Sequence, residues 1–412
     1  RINTALFDNV GDCDAEHVYV ILRVLECPVL TELFAARKLF IHNCVGIFVN
    51  AACKLLACFC ADNGIGKLCS VKGKNKLGSI VAIEPQTGEI LAMVSAPNWN
   101  PRQLVGKERS ANYQKLLQDP HKPLMNRATQ AQYAPGSTFK ILQALAALQD
   151  GTVTPNTKYP CSGQTSTPIK CTHNHGTPVD LEEGIEQSCN PYFWALYRDM
   201  LQQDGYDNGH AHFKEHYTHW REVMASFGLG ERFTHTDIRE QAKGYLPTTE
   251  FYNKIYGPKG WKAITIRSLS IGQGEILVTP LQLANQAAAI ANKGYYITPH
   301  FNRNDSMKSN IYTTLVDSAY FDVVHRGMAR VMSDGTGRWY NIPELQMCGK
   351  TGTVQNPHGE DHALFIGFAP MDNPQIAVAV AVENAGFGAT WACPMATLVM
   401  EQYLTGEIKR NA

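Results

Sequence analysis

Ser137 and Lys140 stand three residues apart in Pro135-Gly136-Ser137-Thr138-Phe139-Lys140, ahead of a run of good helix formers from Ile141 to Leu148. Side chains at i and i+3 share a helix face, so the Lys140 amine can reach the Ser137 hydroxyl. The free N–H groups of a first helical turn also favour negative charge developing there. A hydroxyl is a weak nucleophile until a neighbouring base takes its proton, so this pair points to acyl transfer. Taken alone, Ser-x-x-Lys is a short pattern that many solvated helices contain. Two further elements follow it in order, Ser188-Cys189-Asn190 and Lys350-Thr351-Gly352-Thr353. The last of these suits a strand laid against a substrate, with a glycine for close backbone approach, two hydroxyls and a positive charge.

The three elements together resemble the signature of penicillin-binding proteins and serine β-lactamases, with Cys189 where the usual middle residue of the second element is Asp. The likeness runs from about Lys74 to the C-terminus. It includes Gly78 to Val94, similar to the family's opening hairpin, Asn126-Arg127-Ala128 ahead of the nucleophile, and Ile271-Gly272-Gln273-Gly274-Glu275 as a substrate-groove segment. The chain is most similar to the class B, elongation-type group called penicillin-binding protein 2. That resemblance implies a peptidoglycan D,D-transpeptidase acting through a Ser137 acyl-enzyme, with peptidoglycan stem peptides as substrate and β-lactams as trapping ligands.

It also implies roles residue by residue. Lys140 is the base, made neutral by burial and by nearby positive charge from Lys350. Ser188 relays the proton to the leaving nitrogen, and the Asn190 amide holds the donor backbone; the plain alternative for both is a capping or turn pair. Thr351 and Thr353 bind the donor carboxylate, Gly352 gives close approach, and the backbone N–H groups of Ser137 and Thr353 form the oxyanion hole. Gly272 and Gly274 shape a loop. The rivals are a serine β-lactamase, a D,D-carboxypeptidase, and a catalytically silent β-lactam sensor or scaffold.

Positioning these residues takes an α+β fold, one antiparallel sheet flanked by helices, of the penicillin-binding protein and serine β-lactamase type. Ser79 to Glu84 and Glu89 to Ser95 read as a hairpin around Pro85-Gln86-Thr87-Gly88. Ser137 to Leu148 reads as the nucleophile helix, and Leu181 to Leu201 as a helical region around Ser188. Thr279-Pro280 opens a helix through Ala291. Met347 to Val354, Ala363 to Ala369 and Ile376 to Val382 read as strands, Pro394 to Leu404 as a closing helix, and Gln202 to Pro258 as loops near the cleft.

With 412 residues, 44% of them hydrophobic, the chain can bury a full core. A formal net charge of +0 gives no reason to expect a nucleic-acid partner. Residues 1–73 match no recognised pattern and stand apart from a transpeptidase domain at 74–412; the resemblance implies a strand-rich pedestal in that place, of which they would be a remnant. They hold seven of the twelve cysteines, Cys13, Cys27, Cys44, Cys53, Cys58, Cys60 and Cys69. Leu39 to Cys60 is the most apolar long stretch, interrupted by His42, Asn43, Asn50 and Lys54, and reads as a buried helix rather than a membrane span. The chain opens at Arg1 with no signal-peptide pattern and reads as a fragment. The resemblance implies a single N-terminal anchor in the bacterial inner membrane, not visible in this chain, with the catalytic domain periplasmic. It further implies a membrane glycosyltransferase of the elongation machinery as partner.

A second constellation lies between the first two elements: Cys161, Cys171, His173, His175 and Cys189. Three thiols and an imidazole can complete a tetrahedral zinc site, with Cys171 and His175 supplied by one loop. Some elongation-type members of the family carry a Cys/Asp/His zinc site in this interval, and the pattern of Cys161, Cys171 and His175 followed by Cys189 is similar to it. A Cys161–Cys171 disulfide with Cys189 as a buried thiol is the competing reading. Catalysis itself calls for no cofactor.

Overall fold

The computed structural model describes residues 19–22, 77–203, 209–302 and 310–409. Two compact units make up the chain: residues 1–75 with 94–125 and 411–412, and residues 76–93 with 126–410. In the smaller unit the described residues form a short strand, Tyr19–Leu22, a 3-10 turn, Pro101–Leu104, and a helix, Arg109–Gln118. The Leu39 to Cys60 stretch and the seven early cysteines lie outside the described residues. Among the described residues no helix is long and apolar enough to cross a membrane.

Numbered in chain order from Leu77, the elements are β1 (Leu77–Ile83), β2 (Ile90–Ala96), α1 (Arg127–Gln130), α2 (Lys140–Gln149), α3 (Leu181–Glu186), α4 (Asn190–Leu201), α5 (Gly209–Ala225) and α6 (Thr249–Tyr256). Then come α7 (Pro280–Ala291), β3 (Tyr295–Ile297), β4 (Ile311–Thr313), α8 (Phe321–Ser333), β5 (Cys348–Val354), β6 (His362–Ala369), β7 (Ile376–Glu383) and α9 (Gly388–Thr405). From Leu77 onward the strands of the main sheet run in the order β2-β1-β7-β6-β5, so an early hairpin pairs with a three-stranded meander from the end of the chain. Strand β1 meets β7 antiparallel, with Ile80 opposite Val380, and β5 meets β6 with Lys350 opposite Ile366. This leaves β5, which carries the third motif, at an edge.

Local chemistry explains the frame. In β7 valines 378, 380 and 382 alternate with alanines 377, 379 and 381, all buried, so the strand alternates in size rather than polarity. Helix α7 opens on a capping box in which the Thr279 hydroxyl and the Gln282 amide satisfy each other's backbone N–H groups. It is buried on every face and packs against β1, β6 and β7, while α9 packs against β5, β6 and β7. Helix α2 is likewise buried from Lys140 to Leu148, the pattern of a helix through a core.

Three sequence expectations need correction. Gln202 to Pro258 is not a run of loops, for it contains α5 and α6. In α5, Tyr217, Trp220, Val223 and Met224 are buried at helical spacing, interleaved with His216 and His219, whose polarity hid the stripe. The closing helix starts at Gly388 and keeps Pro394 inside. Burial of Trp391, Ala392 and Cys393 offsets a proline cost of about 3 kcal/mol. The helical region around Ser188 is two helices broken at Gln187-Ser188-Cys189.

Candidate active site

Ser137 sits in a 3-10 turn, Gly136–Phe139, that leads directly into α2. The turn is tied to its surroundings at several atoms. Gly136 has φ +56, and a Cβ there would meet Val354 Cγ2 at 2.9 Å and the Thr353 carbonyl at 3.1 Å. Its N–H donates to the Gly272 carbonyl at 2.8 Å, which gives the Ile271 to Glu275 loop its role as a support for the turn. The Thr138 hydroxyl donates to the Pro135 carbonyl at 2.7 Å, and Gln286 Nε2 donates to the Thr138 carbonyl at 3.1 Å. Ahead of the turn, buried Arg127 and the Tyr133 hydroxyl share Glu383 Oε1 at 3.0 and 2.7 Å. The Ser137 side chain is half-buried.

Lys140 Nζ is fully buried. It donates to the Ser188 carbonyl at 2.7 Å, to Ser188 Oγ at 3.2 Å and to Asn190 Oδ1 at 2.5 Å. The break between α3 and α4 makes this possible: Ser188 adopts φ +52, a left-handed conformation uncommon for serine, and so turns both its oxygens to one lysine. The Asn190 amide is engaged at both ends, since its Nδ2 donates to the Lys170 carbonyl at 3.0 Å. Burial holds the Lys140 amine down, to about 8, against the charges of Cys189 and Cys171, which favour its protonated form. Lys350 is also fully buried and lies well below the usual lysine range, first through burial and then through the charge of Lys140. Burial is thus the largest cause at both lysines.

On β5, a Cβ at Gly352 would meet Thr138 Cγ2 and Leu364 Cβ, each at 3.0 Å, so this glycine seats the strand against the Ser137 turn. Thr351 Oγ1 lies 2.7 Å from Thr336 Oγ1, and Thr353 Oγ1 accepts from the Gly388 N–H at 3.3 Å. Lys350 Nζ donates to the Thr351 carbonyl at 3.3 Å. Sequence reasoning missed Thr336, which sits in Asp334-Gly335-Thr336-Gly337, a string that reads as an ordinary turn. It also missed Gln286, one polar residue in a buried helix. No local pattern marks either.

The cysteine and histidine residues form a compact group. The Sγ atoms of Cys161, Cys171 and Cys189 and a ring nitrogen of His175 all lie within 4.8 Å of one another. Cys171 Sγ is 3.4 Å from His175 Nε2, and His175 Nδ1 donates to the Gly176 carbonyl at 2.7 Å, which in the neutral ring turns the Nε2 lone pair towards Cys171. The Gly163 N–H donates to Cys161 Sγ at 3.4 Å. All three cysteines are free thiols. The hydrogen bond from Cys189 holds the Cys171 thiol well below its ordinary range and pushes Cys189 up. His173, on the same loop, is outside the group; burial lowers it, Cys171 raises it, and Lys350 and Lys140 lower it further.

Residues 78–401 match the family described as the penicillin binding protein transpeptidase domain. The peptidoglycan D,D-transpeptidase MrdA of Acinetobacter baumannii is 33% identical over 376 residues, which cover 83% of this chain and 53% of that protein. Among solved structures, Pseudomonas aeruginosa PBP2 in complex with WCK 5153 is 34% identical with a TM-score of 0.68, covering 80% of this chain and 71% of that one. The ceftriaxone acyl-enzyme complex of penicillin-binding protein A from M. tuberculosis is 27% identical with a TM-score of 0.65, covering 81% and 75%. The chain spans about half the length of the curated relatives it matches.

Proposed function

Because the chain belongs to the penicillin-binding protein transpeptidase domain family, we propose that it is a peptidoglycan D,D-transpeptidase of cell-wall elongation, with residues 74–412 as its transpeptidase domain. Ser137 Oγ attacks the penultimate D-Ala carbonyl of a donor stem peptide, Lys140 takes its proton, and Ser188 passes a proton to the departing D-Ala nitrogen. The amine of an acceptor stem then takes the acyl group from Ser137. On the other wall of the site Thr351 and Thr353 receive the donor carboxylate, Lys350 supplies the positive field, and the backbone N–H groups of Ser137 and Thr353 stabilise the oxyanion. The observation that carries this reading is a buried lysine, one turn from a half-exposed serine, whose three hydrogen bonds all fall on Ser188 and Asn190. No step needs a cofactor.

β-Lactams enter the same site as donor mimics and leave a stable adduct, a reading in which no residue directs a water onto the acyl-enzyme. A β-lactamase or D,D-carboxypeptidase would require one. The test is intact-protein mass spectrometry after exposure to penicillin, on the unaltered chain and on Ser137→Ala. One adduct per chain, absent from the variant, is expected; an unlabelled wild-type chain would favour the silent sensor or scaffold. In the same reading the protein acts at the periplasmic face of the inner membrane beside a glycosyltransferase of the elongation machinery.

A second function of the larger unit is structural metal binding. Three thiols and a correctly tautomerised imidazole fit zinc, whose tetrahedral sites place donor atoms about 3.5–4 Å apart. Cys161, Cys171, His175 and Cys189 would hold the ion, and bound zinc would supply a fixed cross-link between the 161–175 loop and the segment carrying Ser188 and Asn190.

A further inference from the structure

Gln286, in the middle of α7, is 0% exposed. Its Nε2 donates to the Thr138 carbonyl, and its Oε1 has no hydrogen-bond partner. An amide with an orphaned acceptor in a dry core is unfavourable, and leucine or methionine would fill much the same volume without that cost. Gln143 is an instructive contrast, being equally buried and fully used: its Nε2 donates to the Leu269 carbonyl at 3.0 Å, and its Oε1 accepts from Trp220 Nε1 at 2.8 Å. Gln143 thereby supports the segment ending at Gly272, which holds the Gly136 N–H. The Ser137 turn is therefore gripped at Gly136 from one side and at Thr138 by Gln286 from the other. Thr138 and Phe139 are the two residues between Ser137 and Lys140, so the peptide that Gln286 holds is the one that links them. Departures from the locally best residue are expected where function sets the choice.

We propose that Gln286 is a positioning residue for acylation, whose one donated hydrogen bond sets the Thr138–Phe139 peptide and with it the placement of the Ser137 hydroxyl relative to the Lys140 amine. The inference rests on the reading of Ser137 as nucleophile. Small displacements of reacting groups cost rate steeply, whereas ligand capture by the β5 wall is untouched by them.

The test is Gln286→Leu in the full chain, followed by saturation kinetics with a fluorescent penicillin and by thermal melting. The acylation rate constant should fall about tenfold or more while the pre-covalent binding constant stays within about twofold. The melting temperature should hold or rise, because the orphaned acceptor is gone. A packing role predicts the reverse, a lower melting temperature with an unchanged rate constant for the folded fraction. An acylation rate constant within about twofold of wild type overturns the proposal. Should Gln286→Leu fail to fold, Gln286→Met serves in its place; failure of both marks a core residue and also overturns it. An unaltered chain that takes no label sinks the Ser137 reading itself, and this inference with it.

Discussion

Lys140 and the Cys161, Cys171, His175 and Cys189 group both draw on the segment Ser188-Cys189-Asn190, and they balance their polar atoms in different ways. In its protonated form Lys140 brings three donors and finds three acceptors on Ser188 and Asn190, so the protein satisfies the charged amine without help. The sulfur group is the converse. It gathers three thiols and an imidazole lone pair, all potential electron-pair donors. The first arrangement satisfies a charged lysine by itself; in the proposed reading the second would be completed by a cation. Proximity of polar groups thus says little until donors and acceptors are counted.

The largest expected effect breaks the first side of that comparison at its centre. Ser137→Ala should abolish covalent labelling by penicillin with the fold intact by circular dichroism, and labelling that persists would move the nucleophile elsewhere. Next, Lys140→Ala should slow acylation by about 10²–10⁴-fold, measured by stopped-flow or gel fluorescence. A loss below about tenfold would show that a different group accepts the proton.

The pH profile sharpens the same side. An amine lowered to about 8 by burial is protonated below that pH, and only its neutral form can accept the Ser137 proton. Acylation should therefore rise about tenfold or more from pH 6.5 to 8.5 and then level off. A profile flat across that interval would place the base's pKa outside it.

The second side carries the smallest expected effect on chemistry and a clear effect on stability. Elemental analysis should find about one zinc per chain, with less in Cys171→Ala and in His175→Ala. A chelator should lower the melting temperature and slow acylation only a few-fold, because Ser188 and Asn190 lose a brace but keep their contacts with Lys140. Zinc-free protein that yields a Cys161–Cys171 disulfide peptide on digestion would remove the metal from the comparison and leave Ser137 untouched.

Much of the frame was legible in the order of residues because its determinants are local. A proline after a capping threonine specifies the start of α7, and an unbroken apolar run specifies β7, whatever surrounds them. Helix α5 was not legible, since polar histidines between its aromatic residues masked a stripe that only the packing of Trp220 against Tyr197 and Tyr217 reveals. Pro394 misled in the opposite sense. A rule about local backbone cost lost to the burial of its neighbours.

At the site, the sequence by itself determined which side chains can do chemistry: a serine and a lysine one turn apart, a serine and an asparagine flanking a cysteine, and a lysine and two threonines on a strand. Spacings of two or three residues constrain geometry through backbone dihedrals alone. Tertiary structure decided what state those side chains are in. The Lys140 amine is lowered by burial, which depends on the whole core, and its partners lie 48 and 50 residues along the chain. The peptide between Ser137 and Lys140 is held by Gln286, 148 residues beyond Thr138. Desolvation and long-range hydrogen bonds are sums over neighbours that folding supplies, so no local pattern can encode them.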